Sequence, residues 1–202
     1  MKETFPTIYN RNRVIRMNTD NKPIPNLIRD KIKEVEDEYD IEFTPMQKIL
    51  CATEGPIVTV LDILYGDVNL FVLDQHMEKA DESIAKKLEI NVGDEINFRE
   101  VIIHKHGRPL IYGLSYIPKD RCSNTVIEKL LKEDQTTGRI MLEHEIETIT
   151  KINKISIEKP DAKLKNLFHT NDDMLSREYV LIHKKNIVIW SKEACPLSYF
   201  DE

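Results

Sequence analysis

The chain has few cysteines, no long apolar run and no excess of positive charge, and each shortage excludes a class of function. Cysteine occurs three times, at Cys51, Cys122 and Cys195. No two of them stand in a C-x-x-C pair and an odd count closes no disulfide framework, so reduced thiols in a cytoplasmic protein are expected. No apolar stretch approaches the roughly 18 residues that a membrane helix needs. The opening residues, MKETFPTIYNRNRVIRMNTDNK, lack the apolar centre of a secretory signal. Lysine and arginine number 29 against 35 aspartates and glutamates, a net charge of −6, which excludes a general nucleic-acid binder because such a surface must be basic. A local cationic pocket for a small anion remains compatible with that total. The chain also lacks G-x-x-x-x-G-K-[ST], G-x-G-x-x-G, H-E-x-x-H and G-x-S-x-G, so nucleotide, zinc-peptidase and serine-hydrolase chemistry lose their usual carriers.

What is present reads as a globular protein. At 202 residues, 41% hydrophobic and 32% charged, the chain can bury a core without metal or disulfide support, as one domain or at most two small ones. The first 25 residues are polar and carry Pro6, Pro23 and Pro25, which predicts an arm or irregular lead-in. Ile28, Ile32, Val35 and Tyr39 form an amphipathic helical stripe, with Asn26 placed to cap it. Thr44-Pro45-Met46-Gln47 is a capping box with proline at the first helical position, predicting a helix that runs to Gly55. Pro56 permits a restart that ends at Gly66. The A-T-E-G-P joint between the two helices can offer backbone N–H groups to an anion, or simply connect them.

Beyond the helices the pattern turns strand-like. Strands are expected at Asn69–Met77, Glu95–His104 and Leu110–Ile117, the last two joined as a hairpin through KHGRP at 105–109. A short helix is expected at Asp81–Glu89, another at Asn124–Glu133, a strand or strand pair across Glu143–Ile157, and a helix at Ala162–Phe168. A second hairpin follows, Ser176–His183 and Ile187–Glu193. The two hairpins run without a gap from Arg99 to Pro118 and from Arg177 to Pro196. They share arginine (99/177), glutamate (100/178), isoleucine (111/189) and the closing proline (118/196). Two equivalent hairpins in one antiparallel sheet, with helical flaps from the intervening segments, predict an α+β fold; no strand–helix–strand alternation with glycine-rich loops speaks for a doubly wound one.

Four places could carry chemistry. Alternation puts Arg99 on one face with Val101 and Ile103. A buried arginine must meet an anion, either a protein carboxylate such as Glu193 or a ligand carboxylate, unless it reaches solvent at the strand end. Glu193 alternates with Ile187, Ile189 and Ser191, a setting that suits acid/base work if it is not simply a solvated strand end. Thr137-Gly138-Arg139 follows the expected 124–133 helix and reads as a carboxylate-binding turn or as a plain helix C-cap. His104 and His106 alternate as two metal ligands would, but without a third ligand at useful spacing a hairpin tip is expected.

The order of these pieces resembles the chorismate lyase (chorismate pyruvate-lyase) family. The matching motifs are TEGPIVTVLD at 53–62, FREVII at 98–103, GLSYIP at 113–118, TGRIM at 137–141, SREYV at 176–180 and EACP at 193–196. They span residues 45–200, which divides the chain into an N-terminal arm and helix, 1–44, and a lyase-like domain, 45–202. The resemblance implies a single α+β domain in which an antiparallel sheet is flanked by helices acting as flaps over a buried ligand pocket. It implies elimination of pyruvate from chorismate to leave 4-hydroxybenzoate, with no metal or organic cofactor. By the same resemblance Arg99 grips a substrate carboxylate and Glu193 lies against the reacting ring as the acid/base. Backbone groups at Ile57, Thr137 and Gly138 complete the site, and Cys195 stands where an aromatic is common. A sealed pocket of this kind should retain its aromatic product, so product inhibition is expected.

Two rival readings keep the same pocket. One is a non-catalytic aromatic-acid binding or effector-sensing protein, as in bacterial transcription regulators; segment 1–44 carries no recognition helix of the kind they use. The other is a lyase for a related enolpyruvyl or cyclohexadiene acid. The expected partner is thus a small molecule, neither nucleic acid nor membrane, and the oligomeric state is left open between monomer and dimer.

Overall fold

The computed structural model describes residues 7–10, 13–16, 27–122, 128–129 and 136–200. Of the helix expected at 124–133 only residues 128–129 are described, and they are helical; the rest of it and the cap at Asn26 lie outside the described residues. Within the expected lead-in, β1 (Thr7–Asn10) and β2 (Arg13–Arg16) pair antiparallel, so that segment contains a short ladder. The helices are α1 (Leu27–Tyr39), α2 (Pro45–Ala52), α3 (Ile57–Tyr65), α4 (Glu82–Leu88), α5 (Thr137–Glu143) and α6 (Ala162–Phe168). Strands β3 (Asn69–Lys79), β4 (Glu95–Lys105), β5 (Arg108–Pro118), β6 (Ile149–Glu158), β7 (Met174–His183) and β8 (Asn186–Pro196) form one antiparallel sheet in the order β3-β4-β5-β8-β7-β6. The fold is α+β, as the hairpin pattern predicted.

The sheet is two copies of one unit. Strand β3, helix α4 and hairpin β4–β5 correspond to strand β6, helix α6 and hairpin β7–β8, and the copies meet where Leu114 faces Lys192. Both connecting helices start at an aspartate, Asp81 or Asp161, whose carboxylate accepts from the N–H three residues on at 2.8 Å. Both end on a left-handed residue, Glu89 (φ 54) or His169 (φ 52). The hairpins carry matching bulges, between Ile103 and His104 and between Leu181 and Ile182. The similarity of the two 20-residue hairpins is therefore structural as well as compositional.

Each face of the sheet buries its own helices. On one face Ile32 and Val35 of α1, Leu50 and Cys51 of α2 and Leu61 of α3 pack on Ile103, Ile111, Leu175 and Cys195. Ile140 and Met141 of α5 pack beside them on Ile117 and Ile189. On the other face α4 covers Ile96, Val180 and Trp190, and α6 covers Ile102, Tyr112 and Ala194. Among the described residues no helix is long and apolar enough to cross a membrane.

Local chemistry sets the helix ends. Thr44 accepts from the Gln47 N–H while the Gln47 side chain accepts from the Thr44 N–H, completing the expected capping box. Helix α2 then stops at Ala52 rather than running to Gly55, because Thr53 is extended (ψ 121) and its hydroxyl donates back to the Ile49 carbonyl. The turn that joins α1 to α2 is held by Glu36, a buried carboxylate that accepts from the Phe43 N–H at 2.8 Å and meets Lys48 at 3.0 Å. Burial alone would raise the Glu36 pKa, but these two partners lower it on balance. Folded Glu36 thus releases its proton more readily than the unfolded chain does. It stabilises the fold above the ordinary value of 4.5 and loses that contribution as pH falls through its own lower pKa. Melting curves at neutral pH and at about pH 3 should show a smaller acid shift for Glu36→Gln than for the parent chain.

Candidate functional site

A cavity of about 670 Å³ lies between the sheet and the helices of the first face. Two adjacent residue rows of the sheet make its floor. One runs Arg99, Ser115, Ser191, Tyr179 across β4, β5, β8 and β7; the next runs Val101, Gly113, Glu193, with Arg177 beyond Glu193 in the same row but outside the cavity lining. Gly113 keeps the middle of the floor low, since a Cβ there would stand 3.0 Å from Val101 Cγ2. The lid is the α2–α3 joint, Glu54 to Val58, together with Thr136, Thr137 and Gly138 at the start of α5. The two lid pieces touch: a Cβ on Gly138 would come within 2.7 Å of Pro56 Cβ, so the approach requires glycine. An ion pair between Arg139 of α5 and Asp62 of α3 ties the lid together from outside, and the Thr150 hydroxyl donates to the Glu54 carbonyl. Ile103, Ile111, Met141, Leu181 and Ile189 give the interior an apolar lining.

The polar heart of the floor is asymmetric. Arg99 is 1% exposed and is the one cationic side chain among the described residues lining the cavity. Its counterpart in the second copy, Arg177, braces Glu193 and the end of α2. The Arg177 Nε donates to Glu193 Oε2 at 2.7 Å, and its Nη1 donates to the carbonyls of Leu50 and Thr53, both at 2.7 Å. The Tyr179 hydroxyl donates to the other Glu193 oxygen, Oε1, at 3.0 Å. Burial disfavours the Arg177 charge, yet the neighbouring Glu193 carboxylate outweighs it and leaves the guanidinium more basic than usual. Burial, with the Glu193 charge, pushes the Tyr179 phenol above its ordinary range, so its hydroxyl stays protonated at neutral pH. Burial likewise pushes the Cys51 thiol up to about 12, which leaves it an inert core group.

All five site residues named from the sequence, Arg99, Ile57, Thr137, Gly138 and Glu193, border this cavity. Three local expectations fail. Thr137-Gly138-Arg139 does not close a helix but opens α5, where the Thr136 hydroxyl accepts from the Arg139 N–H at 3.3 Å; the preceding threonine was the readable N-cap signal. The strand expected across Glu143–Ile157 begins only at Ile149. Ile187 does not share a face with Glu193, because the bulge at Val188 turns it into the cluster under α4. Glu193 pairs with Arg177, the cross-strand neighbour, rather than with Arg99, which lies two strands away. Tyr179, Ser115 and Ser191 also line the cavity, beyond the residues expected there, and alternation from Arg177 is the signal that places Tyr179 on the same face. His104 stands at the hairpin tip, its Nδ1 beside the Gly107 N–H at 3.3 Å. Among the described residues no group of three or more histidines, cysteines or carboxylates is placed to hold a metal.

Known proteins match this architecture at two levels. The family model described as "Chorismate pyruvate-lyase Rv2949c-like" matches residues 51–199. A Methanocaldococcus jannaschii protein named "Putative lyase MJ0807" is 30% identical over 150 residues, which cover 71% of this chain and 73% of that one. Among solved structures, a GntR-family transcriptional regulator from Bacillus cereus superposes with a TM-score of 0.55 at 22% identity, covering 67% of this chain and 94% of that chain. PhnF from Mycobacterium smegmatis gives 0.58 at 14%, covering 72% and 65%. The C-terminal domain of the histidine utilization repressor from Pseudomonas syringae gives 0.54 at 13%, covering 64% and 91%. At these identities the structural likeness is one of fold.

Proposed function

The chain belongs to the chorismate pyruvate-lyase Rv2949c-like family, and on that premise we propose that it eliminates pyruvate from chorismate to leave 4-hydroxybenzoate. One observation carries the reading: a buried arginine and a braced glutamate stand on the floor of one apolar cavity. Arg99 takes a substrate carboxylate, as a bidentate guanidinium in a dry site does well. The backbone N–H groups at Ile57, where α3 begins, and at Thr137 and Gly138 receive the remaining negative charge. The apolar walls hold the ring flat over Gly113.

The reaction breaks a ring carbon–oxygen bond and removes a proton from the adjacent ring carbon. Aromatisation drives it downhill, so the protein's work is orientation and proton handling. Glu193 is the group that exchanges the proton. Arg177 and Tyr179 hold one oxygen each and fix its position. Cys51 and Cys195 are free and buried, which suits a reducing compartment, and the proposal places the reaction in the cytoplasm.

The test is chorismate turnover by the purified chain, with pyruvate and 4-hydroxybenzoate measured separately. Both products should form in equal amounts, and added 4-hydroxybenzoate should slow their formation. Tight binding of 4-hydroxybenzoate without turnover would instead assign the chain to aromatic-acid binding or sensing. Turnover of only another enolpyruvyl acid, read by mass spectrometry of the products, would keep the lyase chemistry and change the substrate.

A further inference from the structure

The two copies of the sheet unit differ in and beside the cavity lining. At equivalent positions the first copy carries Arg99, Val101 and Ser115, and the second carries Arg177, Tyr179 and Glu193. The first half thus presents a cation with a small hydroxyl opposite it. The second presents an internally neutralised ion pair with a phenol laid against it: the Arg177 guanidinium lies 5.1 Å from the centre of the Tyr179 ring, and the phenol hydroxyl bonds the glutamate. Tyr179 is half-buried and forms part of the cavity wall. Tyr179 and Glu193 thus both line the space a ligand would occupy, joined by that hydrogen bond.

We propose that Tyr179 is a second catalytic residue, the acid that protonates the departing enolpyruvyl oxygen, working with Glu193 as one proton relay. This inference rests on the lyase reading and extends it. The ether bond between ring carbon and oxygen breaks with its electron pair going to oxygen, and Tyr179 gives that oxygen its proton. Glu193 takes the proton from the adjacent ring carbon, whose C–H pair becomes the new ring double bond. Tyr179 is then a phenolate and Glu193 an acid, one hydrogen bond apart, and the proton crosses that bond to restore both groups. Enolpyruvate leaves and becomes pyruvate in water, so no proton is gained or lost by the protein. Arg177, beside both groups, stabilises whichever of them carries the charge. Burial and the Glu193 charge keep the phenol protonated in the resting site, ready to donate.

The deciding experiment compares the parent chain with Tyr179→Phe, which keeps the ring and removes the hydroxyl. The expected result is a kcat lower by about 100-fold, the scale of general-acid catalysis, with KM and the Kd of 4-hydroxybenzoate within about threefold of the parent. The parent should also show a normal solvent deuterium isotope effect on kcat, since the tyrosine proton exchanges with water while the ring proton does not. That effect should vanish in the variant. Unchanged kcat in Tyr179→Phe beside an active parent overturns the inference and leaves the lyase reading standing. No isotope effect in the active parent overturns it as well, even if the variant does not fold. A parent that yields no pyruvate overturns the lyase reading and this inference together.

Discussion

An Arg99→Met variant is expected to bind 4-hydroxybenzoate about 30-fold or more weakly than the parent chain, the cost of removing one member of a buried charge pair. Arg99 is 1% exposed, so water cannot take the place of its guanidinium around a bound carboxylate. Among the described residues lining the cavity, the other charged side chains are Glu54, Glu145, Glu147 and Glu193. None of them can attract a carboxylate, and together they make the loss of the one cation harder to offset. Methionine fills similar space, so near-ultraviolet circular dichroism should be unchanged and the deficit should appear in the calorimetric Kd. Arg99→Lys should recover only part of the affinity, because an ammonium is a point charge without the paired donors of arginine. Parent-like affinity in the methionine variant would place the ligand carboxylate elsewhere.

The second large effect concerns stability. Arg177→Met should destabilise the fold by about 3 to 5 kcal/mol, a drop of roughly 6 to 20 °C in Tm for a chain of this size. The Arg177 and Glu193 side chains are 5% and 12% exposed, so the substitution leaves a carboxylate in the interior without its cation. It also strips hydrogen bonds from the carbonyls of Leu50 and Thr53 at the end of α2, where a cation is favoured by the helix dipole. Arg177 is a strut between the sheet and the α2–α3 joint, so the damage reaches the lid. The double variant Arg177→Met/Glu193→Gln should be more stable than Arg177→Met alone, because the stranded charge is gone. If the two single losses simply add, the pair is not coupled as its 2.7 Å contact requires.

Most of the architecture was legible from local pattern. The capping box at Thr44, the glycine stop at Gly66, the short helices α4 and α6 and both hairpins follow from side chains that act on backbone within a few residues. The equal lengths and shared ends of the two hairpins pointed to one sheet with internal repetition, and the strand order bears this out. Alternation put Arg99 on an apolar face, and its burial follows from that. Where the expected face of Ile187 failed, a single residue had upset the period. One extra residue at Val188 moves Ile187 to the opposite face, and nothing in the composition of NIVIWS marks it.

Pairing across distance was decided elsewhere. Arg99 and Arg177 stand in the same R-E context in equivalent strands, so sequence alone cannot say which arginine the glutamate engages. The choice falls to register: Glu193 lies opposite Arg177 on the adjacent strand, whereas β5 and the bare backbone of Gly113 separate it from Arg99. The carbonyls that anchor Arg177 belong to residues 127 and 124 positions away in the chain. The closure of the lid by Gly138 on Pro56 likewise joins helix starts remote in sequence. Amino-acid order thus determined the elements and the groups able to do chemistry, because those depend on short-range sterics and hydrogen bonding. Which arginine Glu193 engages, where Tyr179 meets Glu193 and how much space lies above Gly113 were decided only by tertiary packing, because electrostatic partnership and cavity shape depend on distances the folded sheet alone sets.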